Sequence, residues 1–225
     1  MSTDHKRGDF FQKHLDPASR LGEILFGLIM VLTATLTAGL TVAKGEAGVR
    51  RLLLSAVGCN VAWGIIDGIM YVMNCLIERG SKARLVRAVQ GAPDPAAALD
   101  IVRAAVEPEM ESLSTPEDRE ALCQAILKHL AHARPRKTRV TKQDLHGAVA
   151  CFWLVFLTCL PAAVPFLIFS HPTQALRISN GLSIAMLFFI GHKWAKYANT
   201  NRLGAGLAMV VVGLALVGVA ILLGG

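Results

Sequence analysis

The sequence of 225 residues contains few charged side chains, since only 17% are Asp, Glu, Lys or Arg while 53% of its residues are hydrophobic. A water-soluble domain needs more charge than this to cover its surface. The apolar residues also gather in runs of about 20, the length that a helix needs to cross a bilayer. The composition therefore predicts an integral membrane protein and excludes a soluble one.

Motifs of several other protein classes are also missing. The net charge is +7, but the basic residues lie beside apolar runs and form no nucleic-acid motif, so no nucleic acid partner is expected. The sequence contains no nucleophile with its base, phosphate loop or dinucleotide motif, which argues against an enzyme. The five cysteines form no C-x-x-C pair, and we expect all of them to be small, buried apolar residues. The first 20 residues have no apolar core before a cleavage site, so we expect no removable signal peptide.

Five apolar runs predict an all-α, polytopic membrane protein with five transmembrane helices. The runs cover residues 21–43, 52–77, 147–170, 175–195 and 203–223. Residues 1–20 thus precede two spans within 21–77, a helical insert at 78–146 separates helices two and three, and three spans follow within 147–225. The fourth run has the shortest apolar centre, but Trp194 and Tyr197 beside lysines are typical of a helix end at the membrane interface.

Positive charge is distributed unevenly over the segments between these spans. With the amino terminus in the cytoplasm, 19 of the 23 Lys and Arg residues lie on the cytoplasmic side and four lie outside. This bias predicts a cytoplasmic amino terminus, a cytoplasmic insert and a carboxyl terminus on the outer face. A bacterial inner membrane is the expected location.

The insert has helical rather than disordered sequence patterns. Pro93 and Pro95 end the outward continuation of the second span, and residues 96–106 follow as an amphipathic helix. Thr115, followed by Pro116 and two acids, predicts the start of a second helix that runs to about residue 133. The predicted buried stripe of that second helix is Leu122, Ile126 and Leu130. A basic tail at 134–142 precedes the third span, where it would contact anionic lipid head groups.

An acidic residue, Asp67, lies inside the second predicted span, where an ionisable group costs on the order of 3 kcal/mol to insert. We therefore expect Asp67 to face protein or water. Met70, one turn later, and Asn60, two turns earlier, lie on its side of the helix. Carboxylate, amide and thioether groups suit a divalent first-row metal ion such as Fe²⁺ or Mn²⁺. The alternative is that an interhelical hydrogen bond holds Asp67 and the methionine only packs.

Glu23 stands at the entrance to the first span, seven residues before Met30. It either admits ions or simply lies among lipid head groups, where a glutamate hydrates easily.

Acidic residues are also concentrated within the insert. The four candidates are Glu107, Glu109, Glu111 and Glu117. They either collect divalent cations or form an ordinary solvated helix end, because their spacing matches no fixed metal-binding motif.

Two patterns in the last three spans concern helix geometry. Pro161 and Pro165 each remove a backbone donor, which predicts a bend in the third span with carbonyls directed to neighbours or water. Gly206, Gly213 and Ala220 repeat every seven residues, which allows close packing either within one chain or between two copies.

Taken together, these features resemble the vacuolar iron transporter family. The resemblance rests on the order of the spans and insert, on residues 20–27 and 160–166, and on the helices around 179–191 and 202–213. It implies a homodimer that exports Fe²⁺, and also Mn²⁺, from the cytoplasm in exchange for protons, with the insert collecting metal. One departure is that the family carries an Asp-Gly pair in the first span, where this chain has Phe26-Gly27. Here the pair is Asp67-Gly68 in the second span.

The sequence therefore predicts a proton-coupled divalent-metal transporter. The acids of the insert gather ions, Glu23 admits them, and Asp67 binds them together with Met70 and Met30. The metal ion is cargo, so no resident cofactor is expected, and the partners are the lipid bilayer and a second copy of the chain. The alternative is a non-transporting membrane adaptor whose cytoplasmic helices bind a partner protein.

Overall fold

The computed structural model describes residue 15 and residues 17–41, 45–110, 114–135 and 137–222. Regular structure in these ranges is entirely helical. The helices are α1 (Pro17–Thr41), α2 (Gly45–Gln90), α3 (Pro95–Met110), α4 (Pro116–Ala131), α5 (Lys142–Ile168), α6 (Pro172–Trp194) and α7 (Arg202–Leu222).

Four helices of the described chain are long and apolar enough to cross a membrane. They are Leu54–Gln90, Lys142–Ile168, Thr173–Trp194 and Arg202–Val219. The protein is therefore a helical membrane protein, as its composition predicts. The first predicted span, 21–43, extends beyond the described side chains, which end in α1 at residue 35. A fifth span stays a prediction for this reason.

The chain divides into two compact units. The larger unit takes the described parts of Met1–Val72 and Lys142–Gly225, and the smaller unit takes Met73–Thr141. Both boundaries fall close to the ends of the predicted insert at 78–146, and α2 contributes residues to both units.

The core of the larger unit forms where α1 packs against α6 and α7. Leu28 and Leu32 of α1 meet Leu187 and Ile190 of α6 and Val217 of α7, and all five are almost completely buried. Because these residues recur at helical spacing on each helix, one apolar stripe per helix builds this core.

Glycines allow α6 and α7 to approach closely. A methyl group at Gly206 would lie 2.6 Å from the ring of Phe188, and one at Gly213 would lie 2.6 Å from Leu187. These two members of the seven-residue repeat therefore pack within the chain and not between copies. The side chain of the third member, Ala220, lies outside the described residues.

α5 remains helical through both of its prolines, Pro161 and Pro165. The hydroxyl of Ser179 on α6 donates a hydrogen bond of 2.7 Å to the carbonyl of Ala162, which lies between them. The prolines free the carbonyls of Leu157 and Pro161 and not that of Ala162, so this bond joins α6 to α5 and leaves the predicted role of the freed carbonyls a prediction.

The cysteine prediction is only partly right. Cys123, Cys151 and Cys159 are buried, but Cys75 is partly exposed and Cys59 is exposed. The prediction is wrong for Cys59 because an apolar residue in a membrane span is as stable against lipid as against protein, so its apolar character does not require burial in the fold.

In the smaller unit, the end of α2 packs with α3 and α4 around Val89, Val102 and Cys123. The hydroxyl of Thr115 accepts a hydrogen bond from the backbone N–H of Asp118 at 3.3 Å, which confirms the predicted N-cap of α4.

The buried stripe of α4 differs from the predicted one by one position. Ile126 and Leu130 pack against the core as predicted and, like Leu122, are partly buried, while Cys123 takes the central buried position.

The contact between α6 and α7 generates a stability prediction. A methyl group at Gly191 would overlap the carbonyl oxygen of Ala205 and lie 2.7 Å from Met209 Cγ, so backbone must move to accept it. Overpacking of this kind costs about 1–3 kcal/mol, so we expect Gly191→Ala to lower the apparent Tm in detergent by roughly 2–10 °C. Gly181→Ala on the same helix is the matched control, because no atom lies within 4 Å of its added methyl. Equal shifts for the two variants would contradict the described packing.

Candidate metal site between α1, α2 and α5

Two carboxyl groups meet inside the larger unit. Glu23 of α1 and Asp67 of α2 are partly buried, and their side chains lie within hydrogen-bonding reach of each other. Asp67 Oδ2 is shielded and has no hydrogen-bond partner among the described atoms. Two carboxylates this close repel each other unless a proton or a cation lies between them. The structure thus brings together two of the residues that the sequence analysis singled out.

Close backbone contacts hold α2 in position for this pair. A methyl group at Gly64 would lie 3.0 Å from the ring of Phe152, and one at Gly68 would lie 3.0 Å from the carbonyl oxygen of Ala148. Both partners belong to α5. α2 therefore packs closely against α5 next to Asp67.

Cys151 of α5 adds a third group, since its thiol is buried and lies within hydrogen-bonding reach of Glu23. Nevertheless, no three His, Cys, Asp or Glu side chains in the described chain are placed to hold one metal ion together. The site therefore offers two carboxylates beside a thiol and not a closed cage.

A second group of polar atoms lies about 10 Å further along α2, around Asn60, and we call this group the second polar level. Asn60 is completely buried and donates a hydrogen bond of 3.0 Å to the carbonyl of Ala56, while its Oδ1 has no partner among the described atoms. A methyl group at Gly27 of α1 would lie 3.4 Å from this oxygen and would overlap the hydroxyl of Thr158 on α5. The three helices therefore converge on a buried amide oxygen.

Oxygen atoms from α5 complete this second level. The hydroxyl of Thr158 donates to the carbonyl of Val155 at 2.6 Å, so its oxygen retains acceptor capacity. The same carbonyl would lie 2.9 Å from a methyl group at Gly27. Amide, hydroxyl and carbonyl oxygens can all coordinate a divalent cation or accept a hydrogen bond from water. The sequence pattern placed Asn60 on the side of Asp67 but contained no signal for Thr158.

The two predicted methionine ligands lie apart from the carboxyl pair. Met70 is 53% exposed and belongs to an exposed face of α2 that also carries Met73. A spacing of three residues turns the helix about 60° away from Asp67, which is enough to put Met70 on a different face. Met30 is half-buried on α1, about 10 Å beyond Glu23 along the helix axis.

The acids of the insert are placed only in part. Glu107 is exposed on α3, where it lines a cavity of about 200 Å³, and Glu117 is exposed in the first turn of α4. Glu111 and the side chain of Glu109 lie outside the described residues. The metal-collecting cluster therefore stays a prediction.

The cavity between α3 and α4 also contains arginines. Arg103 donates to Glu120 at 2.8 Å and to Asp100 at 2.7 Å, and Arg119 lines the same cavity. The hydrogen bond from Arg103 holds the pKa of Glu120 below its ordinary value. Two of the charges that line this cavity are thus neutralised by an internal ion pair. Sequence reasoning missed this ion pair because it joins residues on two different helices.

The fold defines a helical membrane protein that carries an acidic pair inside its larger unit. The model that represents the VIT family matches residues 94–225, which span α3 to α7. The match covers more than half of the chain, which therefore belongs to the VIT family, the family that its sequence resembles. Because the VIT family consists of membrane transporters of metal ions, this chain is a membrane protein that functions in metal-ion transport. No curated protein matches the chain.

The matched range does not include Glu23, Asn60 or Asp67. The α1 and α2 side of the candidate site therefore rests on the geometry of this chain, while α5, which supplies Cys151 and Thr158, lies within the match.

The Arg103–Glu120 pair predicts a pH dependence in the smaller unit. Because Arg103 lowers the pKa of Glu120 in the folded state, the pair stabilises the fold at neutral pH. This stabilisation is lost as the pH falls from the ordinary value of 4.5 through the lower folded-state pKa. We expect Glu120→Gln to remove that part of the acid destabilisation, as measured by thermal unfolding of the whole protein at a series of pH values. Glu107→Gln, an exposed change on α3, is the control. A wild-type pH profile in Glu120→Gln would contradict the ion pair.

Proposed function

We propose that this protein exports Fe²⁺ or Mn²⁺ from the cytoplasm in exchange for protons, and that metal and protons compete at the Glu23–Asp67 pair. The observation that carries the proposal is the meeting of these two carboxyl groups between helices of a membrane protein. Membership of the VIT family supports metal ions as the cargo.

Competition follows from the chemistry of the pair. A hydrogen bond between two carboxyl groups requires a proton on one of them, whereas a cation bound by both requires that both are ionised. Metal and protons therefore use the same lone pairs. One divalent cation carries the charge of two protons, so its exchange for the protons of a pair in which both carboxyl groups are protonated leaves the net charge of the site unchanged. The site can thus cycle without an uncompensated charge inside the membrane.

The proposed path runs from the cytoplasm toward the outer face. The positive-inside bias puts the start of α1, and with it Glu23, near the cytoplasm. The insert, with Glu107, Glu109, Glu111 and Glu117, would gather ions on that side. Beyond the pair, an ion next meets the oxygens around Asn60 and Thr158, and then reaches the depth of Met30, whose thioether suits Fe²⁺.

The homodimer implied by the family resemblance also belongs to this proposal. Met70 lies on an exposed face of α2. A second copy that covered this face would return Met70 to a protein environment, and only in that arrangement does Met70 act as a ligand.

Isosteric changes at the carboxyl pair test the proposal. We expect Asp67→Asn and Glu23→Gln each to reduce metal uptake by proteoliposomes with an imposed pH gradient at least about tenfold, since each change removes an anionic ligand. Thermal stability should stay the same or rise, because one of two facing like charges is gone. Asp100→Asn, in the smaller unit, is the matched control. Normal uptake by Asp67→Asn would mean that Asp67 only joins helices. If the unaltered protein takes up none of Fe²⁺, Mn²⁺, Co²⁺ and Zn²⁺, the result would favour a membrane adaptor that does not transport.

Changes at the second polar level test the path beyond the pair. Gly27→Ala puts a methyl group among the oxygens of Asn60, Thr158 and Val155. We expect it to block uptake while Mn²⁺ binding, followed by electron paramagnetic resonance, is retained at the carboxyl pair. Gly58→Ala, close to Asn60 in α2 and with no atom within 4 Å of the added methyl, should transport normally.

A second variant distinguishes a blocked path from a folding defect. Asn60→Ala removes the amide oxygen and adds no volume, so it should assemble and still slow uptake. Normal uptake by both Gly27→Ala and Asn60→Ala would place the path elsewhere.

A further inference from the structure

The smaller unit contains a basic cleft of about 890 Å³ that the transport site does not use. Its walls are the end of α2, the end of α4 and the segment between α4 and α5. Five of the lining residues are cationic: Arg79, Lys82, Arg134, Lys137 and Arg139. His129 also lines the cleft, and none of the described lining residues is acidic.

Side-chain hydrogen bonds hold these walls together. Gln90 of α2 donates to the carbonyls of Leu130 at 3.0 Å and Ala133 at 2.7 Å, which secures the end of α4. Arg79 of α2 donates to the carbonyl of Arg139 at 3.1 Å. The segment between α4 and α5 is therefore attached to α2 near both of its ends. The cleft is a defined feature of the fold, and its cations are not merely scattered along a loop.

Lys82 is a cation of the cleft that has an acidic partner. Glu78 pairs with Lys82 at 2.6 Å, and both side chains are largely exposed. The cations that line the cleft include three guanidinium groups, whose planar donors match the oxygens of a phosphate. The expected ligand is therefore an anion with several oxygens, such as a phosphate monoester or diester.

The position of the cleft along the chain indicates where such a phosphate comes from. Arg79 follows the apolar run that ends at residue 77, and Thr141 directly precedes the membrane-spanning helix α5. Basic residues immediately outside membrane spans lie at the level of lipid head groups. We propose that this cleft binds the phosphate group of an anionic phospholipid.

Native mass spectrometry of the whole protein tests this proposal by counting the lipids that remain bound after detergent removal. Arg134→Ala/Lys137→Ala takes two cations out of the cleft. Lys128→Ala/Lys196→Ala, the matched control, removes two exposed cations that do not line it. Each protein is loaded with phosphatidylglycerol, with phosphatidylcholine, or with phosphatidylglycerol plus excess inorganic phosphate.

We expect the cleft variant to lose phosphatidylglycerol affinity by roughly 10- to 30-fold, since each cation near an anionic surface contributes about fivefold. The control variant should bind as the unaltered protein does, and phosphatidylcholine should bind weakly to all three. An equal loss in both variants would mean that only net charge matters and would overturn the proposal. If inorganic phosphate displaced all of the bound phosphatidylglycerol, the proposal that a lipid occupies the cleft would be overturned.

A folding defect is separated from a binding defect by the helical circular dichroism and size-exclusion profile of each variant. If the double alanine variant changes either, Lys137→Gln, a single change at an exposed side chain, replaces it. Undiminished phosphatidylglycerol binding by a correctly folded Lys137→Gln would also overturn the proposal.

Discussion

Two acidic side chains that face each other between helices of a membrane protein are the constraint on which the larger unit depends. In a medium of low dielectric, a pair such as Glu23 and Asp67 is stable only when a proton or a cation compensates its charge. An apolar pair of similar volume would join α1 and α2 at a lower free-energy cost. The presence of two acids where apolar residues would fold as well favours a role in binding cations.

Small residues make this apposition geometrically feasible. At Gly27, Gly64 and Gly68, an added methyl group would contact side-chain or backbone atoms of α5 at about 3 Å or less. The three glycines therefore keep α1 and α2 close to α5 and to each other. The same close contact buries the amide of Asn60, whose oxygen faces α1 and not lipid. The close contacts at these glycines therefore explain both how the three helices pack and why polar groups follow one another along them.

The sequence predicted those features that depend on local pattern. Thr115 began a helix as expected because an N-cap is defined within four residues, and Asp67 stood out because a charge inside an apolar run is rare. Pairing was not predictable. The meeting of Asp67 with Glu23 depends on the register between two helices, as does the burial of Cys123 in place of its neighbour Leu122. Hydrophobic periodicity predicts which face of a helix is buried, but it does not predict which other helix that face contacts.

The departure from the family pattern in the first span also has a structural explanation. Where the family carries an acid before the glycine, Phe26 here packs edge-on against Trp63 of α2, with ring centroids 5.1 Å apart. Trp63 lies one turn before Asp67 on the same helix. An aromatic contact therefore occupies the α1 position, and the carboxylate enters the bundle from the facing helix instead. Because α1 and α2 are in contact there, an acid can change helices and still lie between them beside Glu23. The Glu23–Asp67 pair lies outside the matched range, whereas α5, which packs against α2 at Gly64 and Gly68, lies within it.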